Sequence, residues 1–151
     1  MLQTEEYASA TTSSTPRVRQ DHSERFVSFR MARTRRLSDA ERPFHLHAVV
    51  TEAALRLRAG EVKLQSNQLQ HLVDMAKRPT VTIQIVRPED CLHTALTGQF
   101  IVLDSDNVRS IAYAELHDGA IYIHDSEQIP SYTMTAESLQ RVALTHSSRS
   151  R

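Results

Sequence analysis

The sequence predicts an α+β fold with a mostly antiparallel sheet of about five strands, covered by N-terminal, middle and C-terminal helices. Three observations carry this expectation. Thr80–Val86, TVTIQIV, alternates strictly, as a half-buried strand does. Arg109–Leu116 and Ala120–His124 are two apolar runs joined by His117-Asp118-Gly119, and Asp-Gly between such runs is a hairpin signal. Segments with apolar residues three and four apart lie before, between and after the strand candidates.

Taken in order, the first helix spans about Leu2–Ala10, with Thr4 as N-cap and Glu5 and Glu6 in its first turn. TTSSTP then reads as a loop. A second helix runs from about Asp21 to Leu37, with Phe26, Phe29, Arg33 and Leu37 as its stripe; Ser38-Asp39 and Pro43 stop it. Phe44–Thr51, FHLHAVVT, alternates as a strand. Glu52–Leu57 is a short helical turn followed by Gly60, and the next helix reaches about Lys77 on a stripe of Leu69, Leu72, Val73 and Ala76. In the strand that follows, Val81, Ile83 and Ile85 are expected to face inward and Thr80, Thr82 and Gln84 outward. Gln99–Leu103 and the hairpin complete four strands in succession, which short connections would lay out as a meander. The last helix covers about Glu127–Leu144, with Ile129, Tyr132, Ala136, Leu139 and Ala143 on one face and Pro130 tolerated near its first turn. The expected organisation is one domain over residues 1–144 and a disordered basic tail over 145–151.

Composition limits the function classes. The chain has 151 residues, 40% of them apolar, with no Trp and four each of Phe and Tyr, so the core rests on Leu, Ile, Val and Ala. Cys91 is the single cysteine, which rules out an internal disulfide and fits a reducing compartment. No apolar run approaches the ~18 residues of a membrane helix, and the N-terminus lacks a signal-peptide pattern. The expected location is cytoplasmic. Formal charge balances at 18 against 18 but is unevenly spread. Pro16–Arg42 holds eight Arg and four acids, whereas Glu89–Glu127 holds eight acids and Arg109 alone.

Candidate chemistry is thin. His45 and His47 form an H-x-H pair that a strand would point to one side, as a metal site requires, but no third ligand stands nearby. Cys91 and His93 share a loop without any oxyanion-hole pattern. Three glycines leave no phosphate-cradling loop, and no G-x-S-x-G occurs. No catalytic residue, cofactor site or metal site is assigned. Glu52 and Glu115 end strand candidates, Glu115 on the same face as Tyr113, where a carboxylate can pair with Arg30 or Arg33 or meet a partner. The basic helix invites a nucleic-acid reading, yet Phe26, Phe29 and Leu37 are committed to packing in this reading and Asp21 and Glu24 weaken its field.

Seven segments in one order carry a resemblance: LQTEEYA, FRMARTRRL, LHAVVTEAAL, LVDMAKRPTVTIQIV, GQFIVLD, IAYAEL and AIYIHD. Together they resemble the C-terminal domain of unknown function of actinobacterial Xre-type helix-turn-helix regulators, which are antitoxin-like transcriptional regulators. Leu2, Gln3, Thr4, Tyr7 and Ala8 match that family's entry motif; Arg30 and Arg33 match its R-x-x-R helix, with Thr34 where Gln is usual. Glu52 and Leu55 match its D-E-x-x-L stretch, with Thr51 in place of the first acid. Gly98 and Phe100 match its loop-to-strand step, and Tyr113 and Glu115 its Y-x-E strand. The resemblance implies a non-catalytic regulatory domain and a small, toxin-like partner protein encoded next door. The helix-turn-helix itself is expected to be missing from this chain, so that it does not read DNA alone.

The sequence thus supports a domain that binds a small partner protein or itself, with Arg30, Arg33, Glu52, Tyr113 and Glu115 as candidate partner-binding residues. A small-molecule-sensing domain is the alternative, and a metal enzyme built on His45 and His47 is a third reading.

Overall fold

The computed structural model describes residues 1–14, 20–90, 98–106, 108–116 and 119–144. It is α+β, as expected, and separates into two compact units, Met1–Gln84 and Ile85–Arg151. Cys91, His93, the His117-Asp118 turn and the basic tail lie outside the described residues.

The first unit begins with α1 (Glu5–Ser13) and α2 (Gln20–Arg35), the latter continued by a 3₁₀ turn over Arg36–Ser38. Thr4 is the N-cap of α1, its hydroxyl accepting from the Tyr7 N–H at 3.2 Å. The helix runs on to Ser13, past the expected loop at Thr11. The Thr11 hydroxyl donates to the carbonyls of Tyr7 and Ala8, and the Ser14 hydroxyl to that of Thr11. Back-bonding of this kind lets polar residues that favour loops sit in a last helical turn.

Of the stripe expected for α2, only Leu37 is buried. Val27 and Leu37 are buried, Arg30, Met31 and Thr34 half-buried, while Phe26 and Phe29 are exposed. Aromatic spacing alone therefore misplaced the inward face. The polar residues Arg30 and Thr34 turn inward because the chain's first residues give them partners: Arg30 Nη1 donates to Gln3 Oε1 at 2.8 Å and the Thr34 hydroxyl to the Met1 carbonyl at 3.1 Å.

β1 (Leu46–Thr51) leads directly into α3 (Glu52–Arg56), capped by the Thr51 hydroxyl, and then α4 (Val62–Ala76). Gly60, between the two helices, has φ +143°, a conformation that favours glycine. β2 (Val81–Val86) pairs with β1 in parallel, so the expected four-strand meander is not formed. The physical reason is the crossover: α3 and α4 carry the chain back before β2, and strands joined through helices run parallel. Leu37, Met75 and Val81 form the core, with Met1, Leu2, Phe44, Leu46 and Ile83 packed against it.

α4 also turns a face other than the expected one inward. Gln68 and Met75 are its buried residues, while Leu69 and Val73 are exposed. Gln84 on β2, expected to face solvent, is buried and bonded to His47 Nε2.

In the second unit β3 (Phe100–Ser105), β4 (Val108–Leu116) and β5 (Gly119–Ile123) make an antiparallel meander. Its hairpin register runs to Leu116↔Gly119, in keeping with the turn read from the sequence. α5 (Ile129–Val142) follows, with Pro130 in its first turn. Its expected face is borne out: Ile129, Tyr132, Ala136 and Leu139 are half-buried, and Tyr132 meets Phe100 edge to face at 5.5 Å. The end of the helix is tied down by Leu144, which exchanges two backbone hydrogen bonds with Ile85 at 2.9 and 3.0 Å. Among the described residues, Val86, Ala112 and Ile123 are the buried ones here.

Candidate functional site

The five candidate residues divide between the two units. Arg30, Arg33 and Glu52 belong to the first unit, Tyr113 and Glu115 to the second. The expected pairing of Glu52 with Arg30 or Arg33 is corrected: Glu52 binds Arg56 one turn along α3, at 2.5 and 3.0 Å. The i,i+4 geometry makes this local pair available without any long-range closure. An exposed pair of that kind contributes little to stability.

Arg30 belongs to a clamp around the first residues. The central member is Gln68, which is 5% exposed and projects from the middle of α4. Its Oε1 accepts from the Thr4 N–H at 2.8 Å, and its Nε2 donates to the Leu2 carbonyl at 2.7 Å. One side-chain amide thus satisfies a donor and an acceptor of an extended segment, as a neighbouring strand would. Arg30 and Thr34 hold Gln3 and Met1 from α2. These contacts are hydrogen bonds from amide, guanidinium and hydroxyl groups that position the first residues.

Nearby on α4, His71 places its Nε2 where it is buried without a hydrogen-bond partner. Burial lowers its pKa below the ordinary histidine value; Asp74 opposes this, and Arg78 and the chain's amino terminus add to it. His71 is thereby held in its neutral form. Sequence reasoning missed both Gln68 and His71, because a Gln and a His inside a helical pattern give no local sign of facing inward.

Arg33, one turn beyond Arg30, sits about 60° around α2 from it and is exposed. Its guanidinium stands over the Phe29 ring at 5.3 Å from the centroid, and Phe29 is itself 66% exposed. At about 100° per residue, Arg25, Phe26, Phe29, Arg33 and Arg36 fall within one arc of about 100°. All five are exposed. Arg36 at the end of the strip is ion-paired with Asp39.

Tyr113 and Glu115 lie on the face of the three-stranded sheet turned away from α5. The register puts Ile101, Tyr113 and Tyr122 side by side across the three strands, with Leu103 and Ile111 paired next to them. Tyr113 and Tyr122 meet edge to face at 5.2 Å, and the His124 ring stacks on Tyr122 at 6.5 Å. Tyr122 is 60% exposed, and Ile101 and Leu103 are exposed. Glu115 and Arg109 mark the two ends of β4 on this face. The alternation of β4 made Tyr113 and Glu115 legible as one face; the neighbouring Ile101 and Tyr122 follow only from the register.

A cavity of about 250 Å³ lies at the start of β3, lined by Gly98, Gln99, Phe100, Ala114, Ser131, Tyr132 and Thr135. Its polar groups are hydroxyls and an amide, with no charged side chain. His45 and His47 are exposed, and His47 is engaged by Gln84. Among the described residues no three His, Cys, Asp or Glu side chains come together as a metal site would need. No helix among them is long and apolar enough to cross a membrane.

No curated protein and no solved structure matches the chain significantly. The family model described as Domain of unknown function (DUF5753) matches residues 1–150, and the chain is a member of that family.

Proposed function

We propose that this chain is a non-catalytic, cytoplasmic regulatory domain that binds a small partner protein or a second copy of itself. In this reading it acts within an antitoxin-like, Xre-type regulatory system and does not read DNA alone. The observation that carries the reading is the outer face of the β3–β5 sheet. Ile101, Leu103, Ile111, Tyr113 and Tyr122 form a contiguous apolar and aromatic surface on the side away from α5, rimmed by Glu115. Scattered exposed apolar residues are ordinary, but a contiguous patch with aromatic anchors is the usual composition of a protein-binding surface. The test is capture of the tagged chain with its bound proteins from native extract, beside a Tyr122→Asp variant. Stoichiometric recovery of a small protein or of untagged chain, lost in the variant, supports the reading. Equal recovery with both removes this face from it.

A second reading, small-molecule sensing, is favoured by the cavity at Gly98–Phe100, whose floor of Phe100 and Tyr132 and rim of Ser131 and Thr135 hydroxyls suit a small, uncharged ligand. A ligand at a hundredfold its dissociation constant would stabilise the fold by about 2.7 kcal/mol, seen as a thermal shift. Blocking the cavity with Ala114→Phe removes that shift if this reading holds.

A further inference from the structure

Two exposed surfaces on this chain are chemically complementary. The α2 strip is aromatic and cationic, with Phe26 and Phe29 set beside Arg25 and Arg33 and followed by Arg36, whose charge is paired with Asp39. Glu24, beside the strip in sequence, points about 100° away from it. The β3–β5 sheet offers the counterpart: an aliphatic and aromatic face with Glu115 at one end, on a stretch of chain rich in acids. Among the described residues from 98 to 128, Asp104, Asp106, Glu115, Asp125 and Glu127 stand against Arg109 alone. Arg109 shares the face, at the end of β4 far from Glu115.

The dimensions agree as well. Three strands span two inter-strand spacings, about 10 Å, and a helix with its side chains is about 10–12 Å across. From Phe26 to Arg33 the helix rises roughly 10 Å, within the length that Ile111, Tyr113 and Glu115 span along β4. A helix laid on this face sets two phenylalanines against Tyr113, Tyr122, Ile101 and Leu103, and brings its arginines within reach of Glu115 at the end of β4.

We propose that the α2 strip of one copy docks on the outer β3–β5 face of a second copy, so that the chain self-associates through unlike surfaces. The inference rests on the partner-binding reading above and names the occupant of that face. Each copy carries both halves, so association closes into a pair when the exchange is reciprocal and continues head to tail when it is not. In both cases the mass in solution rises with concentration. High salt opposes the charged component and leaves the aromatic one.

Sedimentation velocity on the full chain, from micromolar to hundreds of micromolar, reads this directly. The wild type is expected to associate, and to do so less at ~0.5 M than at ~0.15 M salt, where screening is weaker. Phe29→Asp and Tyr122→Asp each weaken association at least tenfold while far-UV circular dichroism stays unchanged. Leu103→Asp replaces Tyr122→Asp as the sheet-face variant if the latter unfolds. The decisive arm mixes the two variants: one retains an intact sheet face and the other an intact strip, so the mixture associates where neither does alone. A chain that stays monomeric throughout, association indifferent to both substitutions, or a mixture no better than its parts overturns the proposal. So does co-purifying nucleic acid that is lost with Phe29→Asp, since the strip then serves phosphate. A monomeric chain that still captures a stoichiometric small protein sinks this inference and leaves the partner-binding reading standing.

Discussion

Replacing Gln68 with Leu removes the clamp while keeping the side chain's approximate volume. Two hydrogen bonds disappear, those to the Thr4 N–H and the Leu2 carbonyl. A net bond of this kind contributes about 1 kcal/mol, and each backbone group left without a partner costs about 1–3 kcal/mol more when water cannot reach it. Leu2 and Thr4 are half-buried, so water recovers part of that cost. The expected loss is about 2–4 kcal/mol, offset slightly by the gain of a buried apolar side chain. Urea titration of the first unit's helical signal would show the midpoint falling at an unchanged slope. Amide exchange gives the local readout: Thr4, Tyr7 and Ala8 lose protection ahead of α4, because α1 is anchored through that segment. A loss below ~0.5 kcal/mol, within the range of ordinary surface changes, would show that the segment is held by Leu2 packing alone and refute the clamp.

Other outcomes follow from single residues. Gly60→Ala is expected to destabilise by about 1 kcal/mol or more, since φ is +143° and a Cβ there meets the Leu64 side chain at 3.0 Å; thermal unfolding measures it. Thr51→Ala removes the α3 cap and costs about 0.5–1 kcal/mol at this exposed site, while Thr51→Ser restores most of it. His71 gives a pH dependence: its folded pKa lies below the unfolded value near 6.5, so the unfolded state gains a proton first as pH falls. Stability is therefore fully present above that value and declines as pH drops through ~6.5 toward the folded pKa. His71→Gln flattens this component in urea midpoints recorded between pH 7.5 and 5, a window set by the histidine reference value. Phe29→Ser leaves stability within ~0.5 kcal/mol of wild type, since the ring is mostly exposed; a larger loss would place Phe29 in the core.

Much of the element order was legible because each element announced itself locally. Thr4 is the cap expected of it, Pro130 opens α5, and TVTIQIV and the Asp-Gly hairpin became β2 and the β4–β5 pair. What sequence alone missed was long-range. The inward faces of α2 and α4 are decided by polar residues, Arg30, Thr34 and Gln68, whose partners are far away in the chain. A periodicity argument counts apolar residues and so assigned those faces to Phe26, Phe29, Leu69 and Val73, which are exposed. The parallel pairing of β1 with β2 was hidden for a similar reason, since pairing depends on where the α3–α4 crossover returns the chain. Among the candidate residues, Tyr113 and Glu115 were found by alternation along one strand. Arg30, by contrast, was named for a partner and is engaged with Gln3, and Glu52 has its ion pair one helical turn away.

The most direct test is capture of the tagged chain from native extract at ~0.15 M salt, where charges more than about 8 Å apart are largely screened, with mass spectrometry of everything retained. A small neighbour-encoded protein or the untagged chain itself is expected at stoichiometric amounts, reduced by Tyr122→Asp. A folded chain that retains neither, but is stabilised by a small molecule, would contradict the partner-binding reading.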